Sequence, residues 1–129
     1  MLGSSQRILP MELSNHILGS AIEVHRHLGP GLLESAYEEA LAKEFLIQGI
    51  PFKRQLPVPL VYKCSNLECG YRLDFLVDDI VIVELKSVEN FAPIHEAQAL
   101  TYLRLMNCKL CMLINFNVPL LKKGIKRVV

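Results

Sequence analysis

Tyr71-Arg72-Leu73-Asp74-Phe75-Leu76-Val77-Asp78-Asp79-Ile80-Val81-Ile82-Val83-Glu84-Leu85-Lys86 is the stretch that decides the fold. Two apolar runs rich in β-branched residues flank Asp78-Asp79, the pattern of a hairpin with one strand from Tyr71 to Val77 and another from about Val81 to Lys86. Both runs read as buried strand, yet they carry Asp74, Glu84 and Lys86. Side chains two apart on a strand share a face, so Glu84 and Lys86 point the same way. Charges in such a place need partners. An unpaired buried carboxylate costs on the order of several kcal/mol, which a divalent cation, a second carboxylate and a nearby ammonium together offset.

The loop length then predicts a register. With a two-residue loop, Val77 would pair with Ile80, and Asp74 and Glu84 would face opposite sides of the sheet. With a three-residue loop, Asp78-Asp79-Ile80, Val77 pairs with Val81 and Asp74 lies across from Glu84, about 5 Å away at Cβ. A shared metal site requires the second arrangement.

Working outward, Ser14 or Asn15 caps a helix in which Ile17, Ala21, Val24 and Leu28 recur at helical spacing, and Gly29-Pro30-Gly31 ends it. A second helix runs from about Leu32 to Gln48, with Leu33, Ala36, Ala40 and Leu41 on its apolar side and Gly49 as terminator. Phe52 to Tyr62 reads as one extended segment, which Pro57 and Pro59 assign to a sheet edge, followed by a polar turn around Ser65-Asn66. A third helix carries Ile94 to Met106, and a strand from Leu110 to Phe116 closes the pattern. The order is ααβββαβ, an α/β fold with a mixed sheet of about four strands. Residues 1–13 read as an N-terminal extension and 14–129 as one domain.

At 129 residues, 51% hydrophobic and 21% charged, the chain suits one domain with a sizeable core. A net charge of +1 provides no global basic field, which argues against a non-specific nucleic-acid coat. The first ten residues lack the apolar stretch of a signal peptide, and no run approaches the roughly 18 apolar residues that span a bilayer. No membrane partner is expected, and the cytoplasm is the expected compartment. Cys64, Cys69, Cys108 and Cys111 form C-x4-C and C-x2-C pairs, a spacing compatible with a four-thiolate zinc site. The second pair opens a strand on which residues three apart face opposite sides, so reduced thiols are the favoured reading.

Further motifs bear a resemblance. Val24-His25-Arg26-His27-Leu28-Gly29-Pro30, then Gly31-Leu32-Leu33-Glu34-Ser35-Ala36-Tyr37, resembles the signature of the GxxExxY protein family, in the PD-(D/E)XK nuclease superfamily. Asp74, Glu84-Leu85-Lys86, His95-Glu96-Ala97-Gln98-Ala99-Leu100-Thr101-Tyr102 and Leu113-Ile114-Asn115-Phe116-Asn117 follow in the order of that family, and the match spans about Ser14 to Arg127. The resemblance implies a restriction-endonuclease-like core, a mixed sheet flanked by helices, and a metal site. It also implies that Glu34 reaches that site, as a ligand through water or as a holder of Lys86.

Such a site suits phosphodiester hydrolysis, which needs an activated water and neutralised phosphate charge. Asp74 and Glu84 would hold Mg2+ or Mn2+, and Lys86 would orient or help deprotonate the water. Gln98 and Tyr102, one helical turn apart, could steady Lys86, the water or a phosphate oxygen. Lys53, Arg54, Arg72 and the tail residues Lys122, Lys123, Lys126 and Arg127 are candidate contacts to a DNA or RNA backbone, against the plainer reading of solvated charge.

The plainer readings elsewhere are a surface ion pair for Glu84 and Lys86, a dipole-complementing first-turn carboxylate for Glu34, packing for Tyr37, and structural or capping roles for the histidines. The leading expectation is a metal-dependent nuclease acting on nucleic acid, pairing as a homodimer if it cuts two strands. The alternatives are a catalytically weak or inactive nuclease-fold protein that binds nucleic acid or protein, and a zinc-stabilised interaction module.

Overall fold

Proline at the first turn of a helix sacrifices no backbone bond, and that determines where the first helix starts. In a computed structural model that describes residues 9–129, α1 spans Pro10–Leu28. Its start lies four residues before the cap read from the sequence. Glu12 reaches back to accept from the Leu9 N–H, and Ser14, inside the helix, donates its hydroxyl to the Met11 carbonyl at 3.0 Å. Residues 1–8 of the expected extension lie outside the described residues, while Pro10 to Leu13 belong to α1.

The second helix, α2 (Glu34–Gln48), follows a loop that only glycine makes easily. Gly29 and Gly31 have φ of 68° and 99°, a region costly for other residues. Tyr37, fully buried, ties this loop down: its phenol donates to the Gly29 carbonyl at 2.6 Å and accepts from the Leu32 N–H at 3.1 Å. Its ring stacks on Phe116 at 4.4 Å between centroids. Tyr37→Phe is therefore expected to cost about 1–3 kcal/mol in denaturant unfolding, because two backbone groups lose a buried partner while the ring packing stays.

The main sheet has five strands in the order β1-β4-β5-β6-β7. These are β1 (Phe52–Pro57), β4 (Arg72–Val77), β5 (Val81–Lys86), β6 (Leu110–Asn115) and β7 (Ile125–Val128), and β1 lies at an edge as its prolines indicate. The helix α3 (Pro93–Met106) carries the chain from β5 to its parallel neighbour β6; the other pairings are antiparallel. The expected single extended segment is instead β1 followed by a separate small hairpin, β2 (Val61–Tyr62) with β3 (Ser65–Asn66). The mixed, helix-flanked sheet is the one expected, with β7 added to the about four strands read from the sequence. The tail turns through a 3-10 segment, Leu121–Gly124, and pairs along β6, burying Leu121 and Val128.

Helices cover both faces. α1 and α2 bury Phe75, Val77, Val83, Leu85, Met112 and Ile114, while α3 covers Leu76, Ile82, Cys111 and Leu113 on the other side with Ala99, Tyr102 and Leu103. Strands buried on both faces read as unbroken apolar runs, as β5 and β6 do. The hairpin between β4 and β5 has the three-residue loop: Val77 lies opposite Val81 and Phe75 opposite Val83. Asp78 and Asp79 take left-handed φ of 51° and 56°, and the Ile80 N–H closes the turn on the Val77 carbonyl at 2.9 Å.

Candidate active site

A strand ladder normally satisfies its own amides, so a place where side chains replace it stands out. Backbone pairing of β4 with β5 extends to Phe75 opposite Val83. One residue on, the Asp74 N–H donates to Glu84 Oε2 at 2.8 Å, and the Leu85 N–H donates to Asp74 Oδ2 at 2.7 Å. Each carboxylate takes an amide of the opposite strand, which places both between the strand ends.

Burial has an electrostatic cost there. Glu84 is 6% exposed, and its carboxyl is pushed up to about 8, first by burial and then by the Asp74 charge, against the opposing pull of the Asp74 N–H and the Lys86 ammonium. Asp74, half-buried, is also raised, by burial first, with the charges of Glu38 and Glu34 adding to it. Both carboxyls therefore hold their protons more tightly than free carboxyls do. Because the Glu84 proton is bound more tightly in the folded chain than at its ordinary value of 4.5, the associated stability is complete below about 4.5 and is lost as pH rises to about 8. The metal-free protein is expected to show a melting temperature that falls across that window, and Glu84→Gln should flatten the decline.

Lys86 is half-exposed, and its charge acts on both acids. Glu34, in the first turn of α2, accepts from the Ser87 N–H at 3.2 Å, while the Ser87 hydroxyl donates to the Leu32 carbonyl at 2.7 Å. Glu34 thus anchors the chain just past Lys86, and its charge is felt by Asp74 and Glu84. Among the described residues, no group of three or more His, Cys, Asp or Glu stands ready to hold a metal. The structure brings together two carboxylates, with Glu34 held to one side by Ser87. Two carboxylates with water completing the shell suit Mg2+, and a divalent cation would offset the cost of ionising both in a buried place, so the donor set fits.

On α3, Tyr102 is 5% exposed, and its phenol is pushed up to about 12 by burial, then by the charges of Glu84, Tyr71 and Asp74. Gln98, one turn earlier, lines the same cavity as Tyr102. Two other residues acquire a role only in the structure. Glu38, one helical turn after Glu34, acts on Asp74 and holds the Arg54 guanidinium at 2.8 Å; its i+4 spacing from Glu34 was the available signal. Asn115 is buried, accepting from the Val88 and Asn117 amides at 3.1 Å and donating to the Val88 carbonyl at 2.8 Å, so it pins the loop after Lys86. Its traces in the sequence were a polar residue closing an apolar run and its place in the Leu113-Ile114-Asn115-Phe116-Asn117 motif, neither of which gave it a role.

The candidate phosphate contacts do not form one patch. Lys53 pairs with Asp79 at 2.9 Å, Arg54 with Glu38 and Glu39, and Arg72 donates to the Gln55 carbonyl, all near the β1 edge. Lys122 and Lys123 lie exposed beside the opposite edge, where Lys126 pairs with Glu96 at 2.8 Å and Arg127 donates to Ser14 and Asn15. Among the cysteines, Cys64 and Cys69 are exposed and Cys111 is buried, and burial raises the thiols of Cys108 and Cys111, which disfavours the thiolates that zinc needs. His25 bonds the Val118 carbonyl and His95 accepts from the Ala92 N–H, both structural roles.

A family model described as the PD-(D/E)XK nuclease superfamily matches residues 11–128. No curated protein and no solved structure matches the chain. No helix among the described residues is long and apolar enough to cross a membrane.

Proposed function

This chain belongs to the PD-(D/E)XK nuclease superfamily, and from that premise we propose that it is a metal-dependent nuclease that hydrolyses nucleic-acid phosphodiester bonds. The carrying observation is the reciprocal pair: Asp74 and Glu84 each hold an amide of the other's strand, at 2.7 and 2.8 Å respectively, and both lie within the field of the Lys86 ammonium. The Gly31, Glu34 and Tyr37 arrangement, in which Tyr37 locks the loop that presents Glu34, supports membership of the GxxExxY branch.

Asp74 and Glu84 would hold Mg2+ or Mn2+, which supplies charge neutralisation at the phosphate and a more acidic bound water. Lys86 carries the ammonium that orients the attacking water and balances charge on the phosphate oxygens. Glu34 positions Lys86 by fixing Ser87, and Asn115 fixes Val88 behind it. Tyr102, kept neutral by its surroundings, and Gln98 supply hydrogen-bonding groups from α3.

The test is a titration of Mg2+, Mn2+ and Ca2+ into the protein with labelled DNA and RNA, scoring binding and scission separately. Scission in Mg2+ and Mn2+, with binding alone in Ca2+, is the expected result. Binding of nucleic acid with no scission in any metal would assign the fold to a binding role instead.

A further inference from the structure

Between α3 and the segment entering β4 lies an open cavity of about 410 Å3, within the usual range of small-ligand sites. Its walls include Tyr71, Tyr102, Gln98, Thr101, Ile94 and Leu105, and no charged side chain contributes to its lining. Tyr71 is 49% and Ile94 68% exposed, so apolar surface faces water at its mouth. The cavity joins the proposed catalytic site through Tyr102, whose phenol lies within the field of Glu84 and Asp74, and through Tyr71, three residues before Asp74 and so about 10 Å from it along extended chain.

From these observations we propose that the cavity receives an unpaired nucleobase next to the scissile phosphate, making single-stranded or locally unstacked nucleic acid the substrate. The proposal rests on the nuclease reading above. An uncharged, aromatic-walled pocket suits a base and repels a phosphate, while Lys86 and the carboxylates outside it suit the backbone. Tyr71 offers a face for stacking, and the Gln98 amide both donates and accepts, as a base edge requires. A base within a duplex is stacked and paired and cannot enter.

The experiment compares single-stranded and duplex forms of one labelled sequence, and moves a single abasic site along the single strand. Expected are at least tenfold faster cutting of the single strand and a tenfold or greater loss when the abasic site lies beside the cut. Ala97→Phe, which fills the cavity from an exposed position on α3, should cut intact and abasic strands alike, at the parent's rate on the abasic strand. Tyr71→Ala should show a partial version of the same loss. An abasic site without effect at every position would overturn the proposal. If no strand is cut in Mg2+ or Mn2+, the nuclease reading fails on its own. The pocket is then read in Ca2+ from the fluorescence of a single strand carrying 2-aminopurine, which should change on binding the parent and not Ala97→Phe. No change with the parent overturns the pocket. A dimer of the parent that Ala97→Phe disperses would assign the cavity to a second copy of the chain and overturn it equally.

Discussion

Glu84→Gln is expected to reduce Mg2+-dependent scission by about 10³-fold or more while leaving the fold intact. The substituted amide oxygen can still accept from the Asp74 N–H, which Glu84 now holds at 2.8 Å, so the strand junction survives. What disappears is the negative charge, and with it the attraction for a hard cation. The same exchange removes a buried group that resists ionisation, so the metal-free variant should melt at or above the parent temperature at pH 8. Lys86→Ala should also remove scission but leave metal binding, because a half-exposed ammonium is a cation and does not ligate one. Calorimetry of metal binding, run beside a cleavage assay, separates the two variants. Full scission by Glu84→Gln would refute the site.

Gly124→Ala is expected to cost about 3 kcal/mol, a fall of about 10 °C in melting temperature. A Cβ at Gly124 would lie 2.1 Å from the Asn115 carbonyl oxygen and 3.0 Å from Val118 Cγ2. The oxygen belongs to the backbone at the end of β6 and cannot rotate away, so either β7 or the end of β6 must shift. That displacement would reach the Asn115 side chain and the loop it holds behind Lys86, so cleavage should fall with stability. Gly19→Ala is the matching control. Nothing lies within 4 Å of the added Cβ there, and alanine in the interior of α1 should raise stability by about 0.5–1 kcal/mol, read by the same melts.

The hairpin register was legible because the two arrangements differ by one residue and send Asp74 to opposite faces. Only one brings like charges to a place where an ion explains them. The edge position of β1 followed from Pro57, and the helix ends at Gly29 and Gly49 followed from glycine at left-handed backbone. The strand β7 was illegible: Ile125-Lys126-Arg127-Val128 offers two apolar residues beside basic ones, and nothing local distinguishes it from a solvated tail. It becomes a strand because β6 presents an open edge and an apolar face to cover. The basic residues were misleading in the same way, since Glu38, Glu39, Asp79 and Glu96 that neutralise them are distant in sequence or belong to other elements.

By itself the sequence determined the alternation of elements, the pairing of Asp74 with Glu84, and the placing of Lys86 on the strand of Glu84. The first and last follow from periodicity, which acts over a few residues, and the pairing from the need of two carboxylates on buried strands for a common partner. Only the tertiary structure decided that the carboxylates replace ladder acceptors, that Glu34 is held by Ser87, and that an uncharged cavity opens beside Tyr102. Those depend on which amides are left without partners where strands part and on which helix lies across them, and both are set by packing between segments far apart in the chain.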